Sequence, residues 1–348
     1  MVSLRFNQAR VWRWGQRSLV WVPRQALVVG LLAVALVWLA VWALGTGKMS
    51  LSSAQALDIV FWGGGSPLER KVVLDIRLPR VLTALLTGAA LAVAGGVFQS
   101  LSRNPLGSPD VIGFTTGAAS GAVVYFVFGG TSSVASAAFA VASGLLTALV
   151  VFGLSLRDAA VAGYRLVLVG IGVGATLSAL NEVLLLRGEL EQAFAAQLWL
   201  AGSLNARQWG HVWPLLVGLV VVLPLVLLGQ SRLVLLEMGD DLARQLGVHA
   251  LKVKGGMAFG AVLLASLATG AAGPIAFIAL AAPRLAVFWV GDHARPLWPA
   301  ALTGAVLLLG VDVVSQWVPF ELNLPVGLMT ALIGGVYLVF AMPRLRSF

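Results

Sequence analysis

The chain has 348 residues, 59% of them apolar before its 40 glycines are counted, and only 11% charged. A soluble domain is roughly 45 to 50% apolar with glycine included and about 25% charged, so this composition cannot make a water-facing surface and excludes a soluble enzyme. The apolar excess runs nearly from end to end, which argues for one polytopic membrane domain, and the absence of cysteine excludes disulfide frameworks and thiolate metal sites.

Residues 1–25 carry Arg5, Arg10, Arg13, Arg17 and Arg24 ahead of the first apolar run. That run is too long for a secretory h-region and no cleavage site is evident, so the segment is expected to be a basic cytoplasmic anchor. A helix needs about 20 apolar residues to cross a bilayer core. Stretches of that scale follow at Ala26 to Gly47 and at Val81 to Ser102. Val111 to Leu156 is long enough for two spans that turn at Gly129 to Ser133, and Leu166 to Leu186 makes the next. Val212 to Gln230, two further spans between Gly255 and about residue 290, Leu297 to Val318, and Pro325 to Met342 complete the set. The expectation is therefore an all-α, ten-helix transmembrane bundle over residues 26–343, with both termini cytoplasmic and residues 344–348 as an inner tail.

On this topology sixteen basic residues lie inside and seven outside, which accounts for all 23 Lys and Arg. The bias follows the positive-inside rule and removes any need for nucleic acid to explain the net charge of +9. Most of the 12 tryptophans fall near predicted span ends, where an amphipathic ring suits the headgroup layer, and Trp38 and Trp42 are equally suited to packing.

Small residues recur every four positions at Gly88, Ala92 and Gly96 and at Gly113, Gly117 and Gly121. Such stripes let helices approach closely, and close packing is their first expected role. Asn181, Glu182 and Asp312 are polar groups inside predicted spans and must face protein or an aqueous path. Asp312 is a candidate partner for a basic or donor group on a neighbouring helix. Between the second and third spans lies SLSRNPLGSPD, in which Asn104, Pro105, Gly107 and Pro109 forbid a regular helix. It is either an ordinary inner turn or a reentrant break lining a cavity.

The longest internal polar stretch is residues 231–254. Asp240 or Asp241 can cap a short helix that exits at Gly247, with Leu242, Ala243 and Leu246 on one side and Arg244 and Gln245 more exposed. Two turns have little independent stability, so this piece must dock, either on the protein's own inner face or on an intracellular partner. No Gly-rich phosphate loop, HExxH or GxSxG motif occurs in the sequence. ATP hydrolysis must therefore come from another chain, and the mechanistic rival is an ion-coupled secondary transporter with Asp312 or Glu182 as proton carrier.

The segment RLPRVLTALLTGAALAVAGGVFQSLSRNPLGSPDVIGFTTGA, Arg77 to Ala118, resembles the permease family of ABC importers for ferric siderophores, haem and cobalamin. WLAGSLNARQW, LLEMGDDLARQLGV, AAGPIAFIALAAP, VDVVSQ and LPVGLMTALIGGVYL extend the resemblance over nearly the whole chain, and the NPLGSPD and LLEMGDD pair is most similar to the ferric-enterobactin branch. The resemblance implies a non-catalytic inner-membrane subunit that binds no cofactor or metal itself. Its implied partners are a second permease, an unlike heterodimer partner by preference, two cytoplasmic ATPases that use ATP and Mg, and a periplasmic or lipid-tethered siderophore-binding protein. It implies ferric siderophore cargo, a ferric catecholate by preference, with haem, cobalamin and hydroxamate complexes as alternatives.

It also implies roles for individual residues. Leu236, Glu237, Met238, Gly239, Asp240, Asp241, Leu242, Ala243, Leu246 and Gly247 match the ATPase-coupling loop. Arg77 and Arg80 match outer arginines that dock the binding protein, although either could instead pair with Asp75 or fix a helix end. Gly170, Gly174, Ser178 and Asn181 are the translocation-path candidates. Two departures stand out: Arg284 replaces a family histidine after Pro283, and Gln316 stands where some relatives have a third docking arginine.

Overall fold

The computed structural model describes residues 10–14, 17–47, 49, 51–157, 160–161, 163–291, 297–317 and 324–341. It opens on an antiparallel hairpin of β1 (Arg10–Trp14) and β2 (Arg17–Trp21). The helices α1 (Pro23–Gly45), α2 (Ser53–Trp62), α3 (Pro67–Lys71), α4 (Leu78–Ser102), α5 (Phe114–Val127) and α6 (Ser133–Ser155) follow. A minimal hairpin of β3 (Leu156–Arg157) and β4 (Ala160–Val161) leads to α7 (Gly163–Arg187), α8 (Leu190–Leu200) and α9 (Trp209–Glu237). The chain continues through α10 (Asp240–Gln245), α11 (Ala250–Ala272), α12 (Ile278–Val290), α13 (Leu297–Trp317) and α14 (Val326–Ala341).

Among the described residues, seven helices are long and apolar enough to cross a membrane: α1, the continuous Pro67–Ser102 rod, α6, α7, α9, α11 and α13. Shorter apolar helices occupy α5, α12 and α14. The protein is thus an all-α polytopic bundle, with the two small hairpins as its only β-structure among those residues.

Small side chains explain why α4 is the central rod. A Cβ added to Gly88 would lie 2.3 Å from the Gly304 carbonyl oxygen, and one added to Gly304 would lie 2.2 Å from that of Gly88. The α4 and α13 backbones therefore touch directly. Gly95 meets the start of α12 at Ala279, and Gly96 meets Leu297. Without water to drive apolar burial, close backbone contact of this kind supplies the dispersion energy that joins helices in lipid. Gly117 and Gly121 do the same for α5 against Thr147 and Phe139 of α6. Gly113 departs from the expected stripe: it precedes the helix at φ 80° and packs on Gly170 and Gly174 of α7.

Several boundaries differ from those read in the sequence. The second span does not begin after Arg80. Capping boxes at Ser52 and Ser66 start α2 and α3, and α3 runs on through a π-helical stretch, Val72–Arg77, into α4. Pro79 has no N–H to continue an α-helical ladder, and the wider turn, with Leu78 N–H on Val73 O, accommodates that loss. Likewise α9 continues to Glu237 and α11 begins at Ala250, so helix extends into both ends of the polar stretch 231–254. The expected C-terminal tail, Lys48 and Arg295 lie outside the described residues.

Candidate functional site

Two irregular segments meet inside the bundle. One is 103–113, between α4 and α5; the other is 273–277, between α11 and α12. Asp110 of the first and Pro274, Ile275 and Ala276 of the second line one cavity of about 420 Å³. Thr115 and Thr116 of α5, Ser178, Asn181 and Glu182 of α7, Ala201, and Gly327 of α14 complete the wall. Irregular backbone within a membrane bundle is tolerated where it lines a cavity, and Asp110 brings the 103–113 segment to this one. Phe277, at φ 76°, is one of three non-glycine residues with positive φ among those described, which marks the second break as strained backbone held by its surroundings.

Local bonding gives the first break one shape. Asn104 Oδ1 accepts from Leu106 N–H at 2.9 Å, Gly107 N–H donates to Asn104 O at 2.9 Å, and Phe114 N–H donates to Pro109 O at 3.0 Å. A side chain on Gly107 would collide with Ser102 Oγ at 2.2 Å. Arg284 Nε donates to Pro105 O at 3.3 Å, tying α12 to this turn. Asp110 accepts from Thr115 Oγ1 at 2.8 Å, closing the loop onto α5.

The translocation-path candidates divide. Ser178 and Asn181 line the cavity, and the buried Asn181 Oδ1 has no hydrogen-bond partner among the described residues. Gly170 and Gly174 instead pack α7 against the end of the 103–113 segment: a Cβ on Gly170 would lie 2.5 Å from Ile112 O, and one on Gly174 would lie 3.1 Å from Gly113 Cα.

At one end of the bundle, Gly239 (φ 127°) and Gly247 (φ 80°) bracket α10. Capping differs from the expectation, because Gly239 is the N-cap and makes no side-chain bond. Asp240 is drawn away by two cations: its Oδ1 is 2.6 Å from Arg103 Nη2 and its Oδ2 is 2.6 Å from Lys254 Nζ. Arg103 also donates to Leu236 O at 2.8 Å, so the end of α4, the end of α9 and the start of α11 meet at one carboxylate. The expected apolar side of α10 is divided as well. Ala243 is fully buried with Leu236 and Ala250, whereas Leu242 and Leu246 are 48% and 61% exposed. With Met238, 63% exposed at the end of α9, they leave three large apolar side chains exposed on and beside α10.

At the opposite end, Arg80 Nη2 lies 2.8 Å from Asp312 Oδ1, and Arg80 Nε lies 3.0 Å from Oδ2. Gln316 Nε2 adds a 3.1 Å bond to Oδ2, so this glutamine helps satisfy the buried carboxylate. Arg77 is buried and donates to Leu44 O and Met49 O, fixing the end of α1. Both arginines thus make contacts within the chain, the alternative that the sequence left open beside docking, though their partners are not Asp75. In the loop before α9, burial pushes Arg207 down to about 10 while Ser203 O accepts from its Nε at 2.9 Å, and the group keeps its charge at neutral pH.

Sequence reasoning missed Asp110 as a cavity residue and Lys254 as the second partner of Asp240. A carboxylate directly after a proline break was the available signal for the first. No sequence signal existed for the second, because it depends on how α11 is set against α10. Among the described residues no cluster of three His, Asp or Glu side chains could hold a metal.

An all-α polytopic bundle with irregular segments at an internal cavity and a short helix exposed at one end has the build of a membrane transport subunit. The chain belongs to the FecCD transport family, whose model matches residues 30–344. It is 44% identical over 323 residues to the ferric enterobactin transport system permease protein FepG of Escherichia coli, covering 92% of this chain and 97% of that one. It is 35% identical over 331 residues to the hemin transport system permease protein HmuU of Yersinia pestis, covering 92% and 96%. A solved structure of a metal-chelate type ABC transporter in an inward-facing conformation superposes with a TM-score of 0.79 at 30% identity, covering 91% of this chain and 99% of that one. The chain is accordingly a non-catalytic, multi-pass permease subunit of the ATP-coupled iron-siderophore import class.

Proposed function

We propose that this chain imports a ferric catecholate siderophore as one of two permease subunits, with α5, α12 and α14 raising the number of membrane-crossing helices to ten and both termini on the cytoplasmic side. The partners are an unlike permease, two ATPases and a siderophore-binding protein delivering cargo at the end that carries Arg77 and Arg80. The relative named for ferric enterobactin transport, at 44% identity, supports the cargo. A chelate that already fills its iron's coordination sphere needs clearance and outer contacts more than ligands, and a cavity of about 420 Å³ lined by both apolar and polar side chains, Ser178 and Asn181 among them, supports that reading.

One observation carries the mechanism: Asp240 on α10 is bonded to Arg103, the residue that ends α4 and begins the irregular segment leading to Asp110. The ATPase grips Met238, Leu242 and Leu246. Its closure displaces α10, and the ion pair passes that displacement into the floor of the cavity. Rigid elements with two packings transmit such movement without a continuous path of deformation. Leu236 and Ala243 hold α10 to the bundle, and Glu237, Gly239, Asp241 and Gly247 shape its ends.

The test is purification of the assembled transporter from membranes, identification of its stoichiometric partners, and uptake of ferric catecholate, ferric hydroxamate and haem into vesicles. ATP-dependent uptake led by the catecholate is expected. Preference for haem would reassign the cargo, and uptake driven by an ion gradient without an ATPase would overturn the coupling.

A further inference from the structure

A second cavity, of about 520 Å³, lies on the flank of the bundle between α9 and α11. Most of its wall is apolar, with Val221 and Leu225 of α9 facing Met257 and Phe259 of α11. Gly256 lines it where a Cβ would meet nothing within 4 Å, while Gly229 and Gly260 let the two helices close on Met257 and Val226. At the end nearest α10 the apolar wall gives way to Arg232 and Lys252, both exposed. Neither has a hydrogen-bond or ion-pair partner among the described residues.

We infer that this groove binds an anionic phospholipid, with Arg232 and Lys252 on the phosphate and an acyl chain between α9 and α11. Charge and dimension both select that occupant. Two uncompensated cations beside apolar helix faces call for an anion whose remaining surface is hydrocarbon. From Arg232 to Val221 the helix rises about 16 Å, close to one leaflet's half of a core about 30 Å thick. The groove thus spans one acyl layer and ends in cations at headgroup depth. A lipid seated there would brace the two helices that flank α10, independently of which chelate is carried.

The intact purified transporter, titrated in mild detergent with phosphatidylglycerol or phosphatidylcholine of matched chains, tests this by native mass spectrometry. Phosphatidylglycerol is expected to remain bound after phosphatidylcholine has dissociated. The Arg232→Gln/Lys252→Gln variant should bind it about 30-fold more weakly, from roughly fivefold per basic residue removed. Gly256→Leu, which keeps both charges and fills open space, should also weaken it, and this variant decides the question alone if the charge variant fails to assemble. Equal retention of the two lipids, or undiminished phosphatidylglycerol on Gly256→Leu, would overturn the inference. Displacement by excess inorganic phosphate would assign the pair to the free anion and overturn the lipid.

Discussion

Arg80 and Asp312 form a forked ion pair across the α4–α13 crossing, with the carboxylate side chain 1% exposed and the guanidinium 21% exposed. Breaking it from either side leaves a charge in a poorly hydrated place. Asp312→Leu or Arg80→Ala should each cost about 3–5 kcal/mol, whereas Arg80→Met with Asp312→Leu should come close to wild-type stability, because the desolvation penalty disappears together with the attraction. Thermal unfolding of the purified complex checks the ordering. Equal loss in the single and double variants would show that the pair is not an energetic unit.

The same double variant separates docking from folding. Charge reversal at Arg77 would place a carboxylate against two backbone carbonyls and confuse the two effects. The neutral pair avoids this. If Arg80 offers its exposed edge to the delivery protein, association should slow by about tenfold at low salt and lose part of its ionic-strength dependence, with little effect on ATPase assembly. Stopped-flow binding to the reconstituted complex measures it, and an unchanged rate would leave Arg80 a purely structural residue.

Asp312 was legible as a buried carboxylate in need of a donor because charge inside an apolar run has few solutions, and one of them is a cation on the adjacent helix. Seven of the expected spans were legible for a similar reason, since in lipid each crossing must satisfy its own backbone and so shows in length and hydropathy, whereas α5, α12 and α14 are shorter than that criterion asks. Gln316 was visible only as a missing arginine, since its bond to Asp312 depends on the α13 helical turn facing α4. The outward turn of Leu242 and Leu246 was not legible. Which face of a six-residue helix is buried depends on how its neighbours hold it, and here Ala243 packs with Leu236 of α9 and Ala250 of α11.

The two leucines left outside can be tested. Leu242 and Leu246 are about half exposed, so Leu242→Asp with Leu246→Asp should lower the chain's own stability by only about 1 kcal/mol. Loss of two apolar anchors at a partner surface should weaken ATPase association by roughly 30-fold or more. Co-purification with the ATPase reports it. Undiminished recovery would mean that the coupling contact lies elsewhere.

Asp240→Asn tests transmission, separately from grip. It removes the charge shared by Arg103 and Lys254 while keeping the exposed leucines of α10. The 2.6 Å ion pair of Asp240 with Lys254 and that with Arg103 would both be weakened, and the connection from α10 to the cavity floor would slacken. ATP hydrolysis by the assembled complex should continue while uptake per ATP falls by about tenfold, the equivalent of losing one charge-assisted contact of about 1.4 kcal/mol. Proportional loss of hydrolysis and uptake would instead indicate an assembly defect.

Ser178 and Gly170 stand two helical turns apart on α7 but meet different surroundings, which gives the cavity its most direct test. At Gly170 any side chain runs into Ile112 O at 2.5 Å, so Gly170→Leu must displace backbone and should destabilise the fold by about 1–3 kcal/mol or more. Ser178 borders open volume, where Ser178→Phe has room and should leave stability and ATPase assembly near wild type. If cargo passes this wall, the phenylalanine narrows its route, and uptake of a bulky ferric catecholate should fall at least tenfold while ATP hydrolysis persists. A smaller hydroxamate complex should be affected less, because the obstruction is steric. Normal catecholate uptake by Ser178→Phe would place the path outside this cavity, whatever the result at Gly170.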